Sequence, residues 1–360
     1  MADVVETFVA GFHDEAAVRK MKYNRLGNTG MHVSEVSIGG VALGGLYGDF
    51  DRAECLRTVD LALRSGVNLI DTSPWYGQGK SEEFLGEALR DVPREAYYLA
   101  TKVGRYDLDY AGMFDFSAAR VRRSVELSLR RLRLQHVDLL QVHDLEFCPD
   151  LETIVSETLP ALQEMVDEGK ARCIGITGYP VSTLKEVVKR SKVKIDSILS
   201  YSRNNLHDDT LQSFLPFFQE RNIAVIDAGA TSMGLLSPNG PPAWHPASDL
   251  LKSTTLQLQQ HCKSQGSDLT RLALRHFMTR PGVTSHLMGV VSRDQLKQNL
   301  QMYQLPVSAE EDALLQHVLS RYASLPAEHH HWEGKEVAHY RKAMAGLDVR
   351  STFEHLGDTK

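Results

Sequence analysis

The feature that most constrains this chain is a repeat. From Val33 to Asn299, short apolar β-rich runs alternate with longer amphipathic segments. The runs are VSEVSIGG, VNLIDTS, YYLATKVG, VDLLQVH, CIGITGY, SILSYS, IAVIDAG and SHLMGVV. They consist largely of Val, Ile and Leu, the composition of parallel strands buried on both faces. Between them, segments such as RAECLRTVDLALRSG and ARVRRSVELSLRRLRL place apolar residues three and four apart, the helical period. Gly66 and Gly169 stop two of these helices just before the next strand. Eight such units with short connections close into a (β/α)8 barrel. An open doubly wound sheet would want a glycine-rich phosphate loop after its first strand, and GGVALGGLYGDF does not read GxGxxG. Gly39, Gly40, Gly44 and Gly45 either let backbone approach a ligand or make a flexible loop. The expected fold is therefore α/β, a TIM barrel with long active-site loops and a C-terminal helical extension. Residues 1–22 read as an N-terminal extension, 23–306 as the barrel, and 307–360 as a helix and tail packing over it.

Composition narrows the function. The 40 Lys and Arg against 46 Asp and Glu give a net charge of -6, which argues against a nucleic-acid partner. No apolar run approaches the roughly 20 residues that span a bilayer, and MADVVETFVAGFHDEAAVRK is no signal peptide. Four separated cysteines, with no CxxC pair, fit a reducing cytoplasm. After the seventh run, SPNGPPAWHPASDLL reads as a long loop over the barrel mouth. The tail carries EHHHWEGKEVAHYRK; adjacent histidines point in different directions, so no metal site is expected there.

In such a barrel the active site lies at the C-terminal ends of the strands. The second run ends in Asp71, followed by TSPWYG; the third holds Lys102, the fourth ends in His143, and the fifth leads to Thr177 and Gly178. Opposite charges and a histidine closing otherwise apolar strands are costly to bury unless they pair or work. A rim ion pair with a satisfied core histidine explains each residue singly. Their placement on successive strands, with Tyr76 just beyond, favours chemistry.

These residues sit in stretches that resemble the aldo-keto reductase family: YNRLGNTGMHVSEVSIGG, LRSGVNLIDTSPWYGQGKSEEFLGEALR, LATKVG, RRSVELSLRRLRLQHVDLLQVHD, EGKARCIGITGYP and MGVVSRDQLKQNL. The resemblance covers Tyr23 to Asn299 and implies a catalytic tetrad of Asp71, Tyr76, Lys102 and His143. Hydride transfer between a nicotinamide and a carbonyl needs a proton donor or acceptor, and Tyr76 can be either. Its ordinary pKa of about 10 should fall beside the Lys102 cation. Asp71 would orient Lys102, and His143 would hold the substrate oxygen. No metal is required.

The same resemblance implies cofactor contacts at Gly40, Val41, Thr177, Gly178, Ser200, Ser232, Met233, Gly234, Leu235, Gly289, Ser292, Arg293, Gln295 and Asn299. Several depart from the common pattern. Thr177 and Gly178 stand where Ser-Asn is usual, Ser200 or Tyr201 must replace a glutamine, and Ala228 stands where an aromatic commonly stacks on the nicotinamide. GITGYP, ILSYS and SMGLLSP look like the L-galactose dehydrogenase branch, which oxidises a sugar hemiacetal to a lactone with NAD. That implies a small aldose as substrate, held by Tyr47, Trp75, His143 and the tail's Trp332, although a packing role for Trp332 is the simpler alternative. Gly289 and Gln295 fall where relatives that hold NADPH carry Lys and Arg, which favours NAD, with NADP still possible through Arg293. An NADPH-dependent aldehyde or carbonyl reductase and a cofactor-binding regulatory subunit are the competing expectations, as monomer or homodimer.

Overall fold

The computed structural model describes residues 5–346 apart from positions 47 and 49. Eight parallel strands close into a barrel in chain order: β1 (Val36–Gly39), β2 (Leu69–Asp71), β3 (Tyr98–Val103), β4 (Val137–Val142), β5 (Ala171–Gly178), β6 (Ser197–Tyr201), β7 (Ala224–Ala228) and β8 (Ser285–Met288), which pairs with both β7 and β1. All eight expected runs form strands. The first is divided, however. His32–Ser34 pairs antiparallel with Tyr23–Arg25, and only Val36–Gly39 enters the barrel. Glu35 makes the switch: its N–H donates to Lys22 O in the hairpin, while its carbonyl accepts from His286 of β8.

Strand alternation sorts the side chains. Leu69, Tyr98, Ala100, Leu139, Cys173, Leu199, Ala224, Ile226 and Leu287 form one apolar cluster inside the barrel, and Leu26, Met31 and Val33 of the hairpin join it from below. Residues of the opposite parity, among them Ile70, Leu99, Leu140, Ile174, Ile198 and Val225, pack outward against the helices. The barrel is thus plugged and apolar at its lower end. At the upper end the inward positions become Asp71, Lys102, Gln141, His143, Thr177 and Tyr201, where the strands stop and loops begin.

Helices follow the strands, and side-chain caps fix where several begin. Asp51, Ser117, Ser248 and Ser292 each accept a backbone N–H in the first turn of their helices, a device contributing about 1 kcal/mol apiece. The βα unit after β7 carries two helices, Asp249–Ser264 and Leu269–Met278, instead of one. Beyond the barrel the tail forms a helix Ala309–Ala323, a turn Ala327–His329 and a helix Lys335–Gly346. Among the described residues, no helix is long and apolar enough to cross a membrane.

Candidate active site

Three strand ends bring the four residues together: Asp71 and, in the loop after it, Tyr76 come from β2, Lys102 from β3 and His143 from β4. Lys102 Nζ donates to Asp71 Oδ1, to Thr72 O at 2.9 Å and to Tyr76 OH at 3.1 Å. Asp71 Oδ2 accepts from Gln141 Nε2 at 2.8 Å, so both carboxylate oxygens are engaged. Burial opposes the charge on Lys102, but Asp71 and Tyr76 outweigh it and hold the ammonium above its ordinary pKa. The Tyr76 hydroxyl departs from expectation. Burial pushes it up to about 12, although Lys102 pulls downward as anticipated. Desolvation of a tyrosinate outweighs one nearby cation that is already paired with a carboxylate.

His143 lies beside Tyr76, its ring 5.7 Å away and edge-on at 84°. Burial lowers its pKa to about 3, with Lys102 and Arg105 adding to the effect against Asp144, so the imidazole is neutral. Ser73 Oγ accepts from Trp75 N at 3.1 Å and meets His143 Nδ1 at 3.1 Å. Asp144 Oδ2 stands 3.7 Å from Nε2. A hydroxyl that donates to Nδ1, with a carboxylate facing Nε2, places the proton on Nε2. That N–H can then donate to a substrate oxygen.

The glycines after β1 are required by packing, not looseness. A Cβ on Gly40 would stand 2.8 Å from Asp71 O, and one on Gly44 would stand 2.6 Å from the backbone carbon of Tyr76. Gly40 is buried, and Val41 opens the short turn Ala42–Gly44 that rests on the Tyr76 loop. This segment braces the tetrad from the side.

The expected cofactor residues are placed as follows. Thr177 points inward and its Oγ1 accepts from Asp144 N at 3.0 Å; Gly178 turns outward beside Glu146. Ser200 does not face the site. It shares parity with outward Ile198, while Tyr201 takes the inward position with Leu199 and lies in register with Ala228. Ser232, Met233 and Gly234 adopt three successive left-handed conformations, with φ of 49°, 53° and 94°, which for the two non-glycine residues costs about 1–3 kcal/mol each. The turn persists because Asn205 Nδ2 and His207 Nε2 meet Ser232 Oγ at 2.7 and 2.9 Å, and His245 Nε2 meets Ser232 O. Leu235 behind it is buried and lines a cavity of about 340 Å3 with Gly240, Lys252 and Gln259. Gly289 is exposed, with open space above it. Ser292 caps the helix Arg293–Gln304, Gln295 accepts from Val291 N, and Asn299 is buried on that helix. Arg293 is committed to Glu54 through its N–H, Nε and Nη2 at 3.0–3.1 Å.

On the substrate side, Trp75 stands 6.2 Å from the His143 ring, and Arg105 lies 3.6 Å over its indole. Tyr47 lies outside the described residues. Trp332 is only 1% exposed, stacked on Tyr179 at 5.2 Å with His245 edge-on at 4.9 Å. It anchors the tail and presents no free face to a sugar. The three adjacent tail histidines turn to different partners: His329 to Ser248, His330 to Leu325 O, and His331 to Glu333 N. Among the described residues no cluster of ligating side chains gathers for a metal.

Known proteins resemble this chain over most of its length. The aldo/keto reductase family model matches residues 35–319. The chain belongs to that family. Its relatives include L-galactose dehydrogenase of Arabidopsis thaliana, 44% identical over 78% of this chain and 88% of that protein. D-arabinose 1-dehydrogenase of Saccharomyces cerevisiae is 32% identical over 76% and 84%. Among solved structures, the holo form of aldo-keto reductase AKR11C1 from Bacillus halodurans superposes with a TM-score of 0.68 at 30% identity, over 86% of this chain and all of that one. This aldo-keto reductase is therefore an oxidoreductase that uses a nicotinamide cofactor on small carbonyl compounds. The braced, strained turn Ser232–Gly234 and the open face at Gly289 fit such a cofactor. Sequence reasoning missed Ser73, Arg105, Gln141, Asp144, Glu146 and Glu336. Gln141 in a run of apolar residues, and two acids within three residues of His143, were the available signals.

Proposed function

We propose that this enzyme oxidises C1 of a small aldose from hemiacetal to lactone, with NAD as the oxidant. The observation that carries the reading is the shared Lys102 ammonium, which bridges Asp71 and Tyr76 beside a neutral, donor-bearing His143. His143 Nε2–H holds the C1 oxygen. Tyr76 OH, once deprotonated, takes the C1 hydroxyl proton, and Lys102 stabilises the tyrosinate that does so. A bound nicotinamide supplies the hydride acceptor, so that aldose and NAD give lactone, NADH and one proton. Tyr201, the Ser232–Leu235 segment, Gly289 and Asn299 would hold it. An aldose as substrate is supported by the two sugar dehydrogenases among its relatives.

The distribution of charge supports NAD over NADP. A 2′-phosphate needs a cation in reach, yet Gly289 and Gln295 carry none and Arg293 is held by Glu54. Four buried, unpaired cysteines support a reducing compartment, consistent with the cytoplasm. A second reading has its own support. With its pKa at about 12, Tyr76 keeps its proton at neutral pH and is poised as an acid, the role it would take in reducing an aldehyde. Steady-state kinetics with L-galactose, D-arabinose and simple aldehydes, against both cofactor pairs, decide between them. The expected result is higher kcat/KM for aldose oxidation with NAD. Preference for NADPH and plain aldehydes would replace the dehydrogenase reading with the reductase one.

A further inference from the structure

The mouth of the barrel holds three carboxyl side chains and a guanidinium, of which the proton and hydride chemistry uses only Asp144, through His143. Asp144 and Glu146 follow β4, Arg105 follows β3, and Glu336 belongs to the tail helix Lys335–Gly346. Asp144 is fixed from both sides. Its N–H donates to Thr177, its Oδ2 accepts from Arg105 Nη1 at 2.6 Å, and its backbone is left-handed at φ 45°. Arg105 is thereby committed, sandwiched between that carboxylate and the Trp75 ring. Glu146 Oε1 accepts from Tyr179 N at 2.9 Å, but its Oε2 is buried with no partner among the described residues. A Cβ at position 178 would stand 2.6 Å from that oxygen, so Gly178 leaves the carboxyl its room. Trp75 Nε1 is a second buried polar atom without a partner among these residues. Glu336 closes the cluster from above, its Oε2 accepting from Trp332 Nε1 at 3.2 Å and from the inward Tyr201 OH at 3.4 Å.

We propose that Glu146 and the tail's Glu336 recognise the substrate's hydroxyl groups beyond the reacting carbon, so that the site takes neutral polyhydroxylated aldoses and turns away sugar phosphates and sugar acids. The inference rests on the aldose reading and names the groups that enforce it. A hydroxyl both donates and accepts, and so does a carboxyl that holds its proton. Burial, reinforced by the charge of Asp144, pushes Glu146 up to about 8, and burial likewise raises Glu336. Trp75 Nε1 adds a fixed donor. An anionic substituent would meet the charged Asp144 carboxylate, and the Arg105 guanidinium beside it is already engaged by that carboxylate. Specificity built on buried polar atoms is strong, because a substrate lacking the matching group leaves them unpaired.

The test uses the full-length enzyme, wild type and Glu336→Leu, Glu336→Gln and Glu146→Gln. Three quantities are measured: kcat/KM for D-arabinose oxidation, kcat/KM for butanal reduction, and inhibition by D-arabinose 5-phosphate. Thermal melts and NADH binding by fluorescence accompany them. In the wild type, the phosphate ester should bind at least about tenfold more weakly than arabinose, and Glu336→Gln should narrow that gap. Glu336→Leu should lower the arabinose-to-butanal ratio of kcat/KM by about tenfold or more, through KM. A loss shared equally by both substrates would show Glu336 to be a tail latch and overturn the proposal, as would an unaltered ratio. Wild type that oxidises arabinose while the variants keep its selectivity sinks the proposal alone. Wild type that oxidises no aldose sinks the functional reading, and the proposal with it.

Discussion

At the scale of single residues, the site works through two proton inventories set by burial. His143 stays neutral down to a pKa of about 3, so it can offer an N–H without changing charge across the physiological range. Tyr76 keeps its proton up to about 12, so oxidation draws on a small deprotonated fraction. The rate of aldose oxidation should accordingly rise about tenfold per pH unit through neutrality and flatten only on the alkaline side. Removing the cation in Lys102→Met should shift that limb upward in pH, because Lys102 is what opposes burial at Tyr76. It should also destabilise the fold by about 3 kcal/mol, since Asp71 loses its buried counter-ion; a melt measured alongside the pH profile separates the two effects. An unmoved limb would assign the base to another group. Tyr76→Phe has no such complication. The hydroxyl contributes one hydrogen bond, so cofactor affinity should stay near wild type while turnover falls by about 10²–10⁴. Half the wild-type rate in that variant would remove Tyr76 from the chemistry.

At the scale of elements, the tail couples two parts of the site that the sequence keeps far apart. His207 Nδ1 meets His330 O at 2.6 Å, and its Nε2 meets Ser232 Oγ, so the docked tail braces the strained turn Ser232–Gly234 that is proposed to hold the cofactor. Arg203, buried against Tyr179, adds an ion pair to Glu333 at 3.0 Å. Truncation before Ala327 should therefore weaken NADH binding as well as raise the aldose KM. His207→Leu, with the tail present, should reproduce the cofactor defect alone. Titration of NADH fluorescence reads this directly, and unaltered affinity in both variants would confine the tail to the substrate side. Such long-range relations explain which elements the sequence disclosed. The eight strands were legible because burial on two faces writes continuous apolar runs. Division of the first run at Glu35 was not, since one apolar stretch serves both a hairpin and a barrel strand. Strand alternation singles out Tyr201 over Ser200 only once the register is known. Glu336 meets Tyr201 across 135 positions of sequence, and nothing local marks it.

At the scale of the whole molecule, the same buried groups shape stability against pH in opposite directions. His143, His207 and His276 titrate near 3, 4 and 4, held down by burial. In the unfolded chain each returns to about 6.5. Below that value the unfolded state binds protons that the native state refuses, so this stability is fully present above pH 6.5 and drains as pH falls toward 4. Glu146 behaves in the reverse sense. Its native pKa of about 8, raised by burial and by Asp144, exceeds its unfolded value, so its contribution is whole at low pH and is lost as pH rises toward 8. Burial also lowers His13, His136, His245 and His331 and raises Glu82, Asp227 and Glu336. Between about pH 4.5 and 6.5 the histidines therefore outnumber the carboxyls and stability climbs, while above 6.5 only the carboxyl slope remains and stability declines. The melting temperature should therefore peak near pH 6.5. Glu146→Gln removes that residue's share of the alkaline slope while keeping an amide that can occupy the same space. Relative to wild type it should melt higher at pH 8 than it does at pH 5, by a margin worth about 1.4 kcal/mol for each pH unit crossed above the unfolded value. Calorimetric scans of both proteins from pH 5 to 8 measure this, and parallel profiles would mean that Glu146 is ionised in the folded enzyme. Such a result would also remove the donor that the hydroxyl-recognition proposal assigns to it, tying the molecule's pH stability to its choice of substrate.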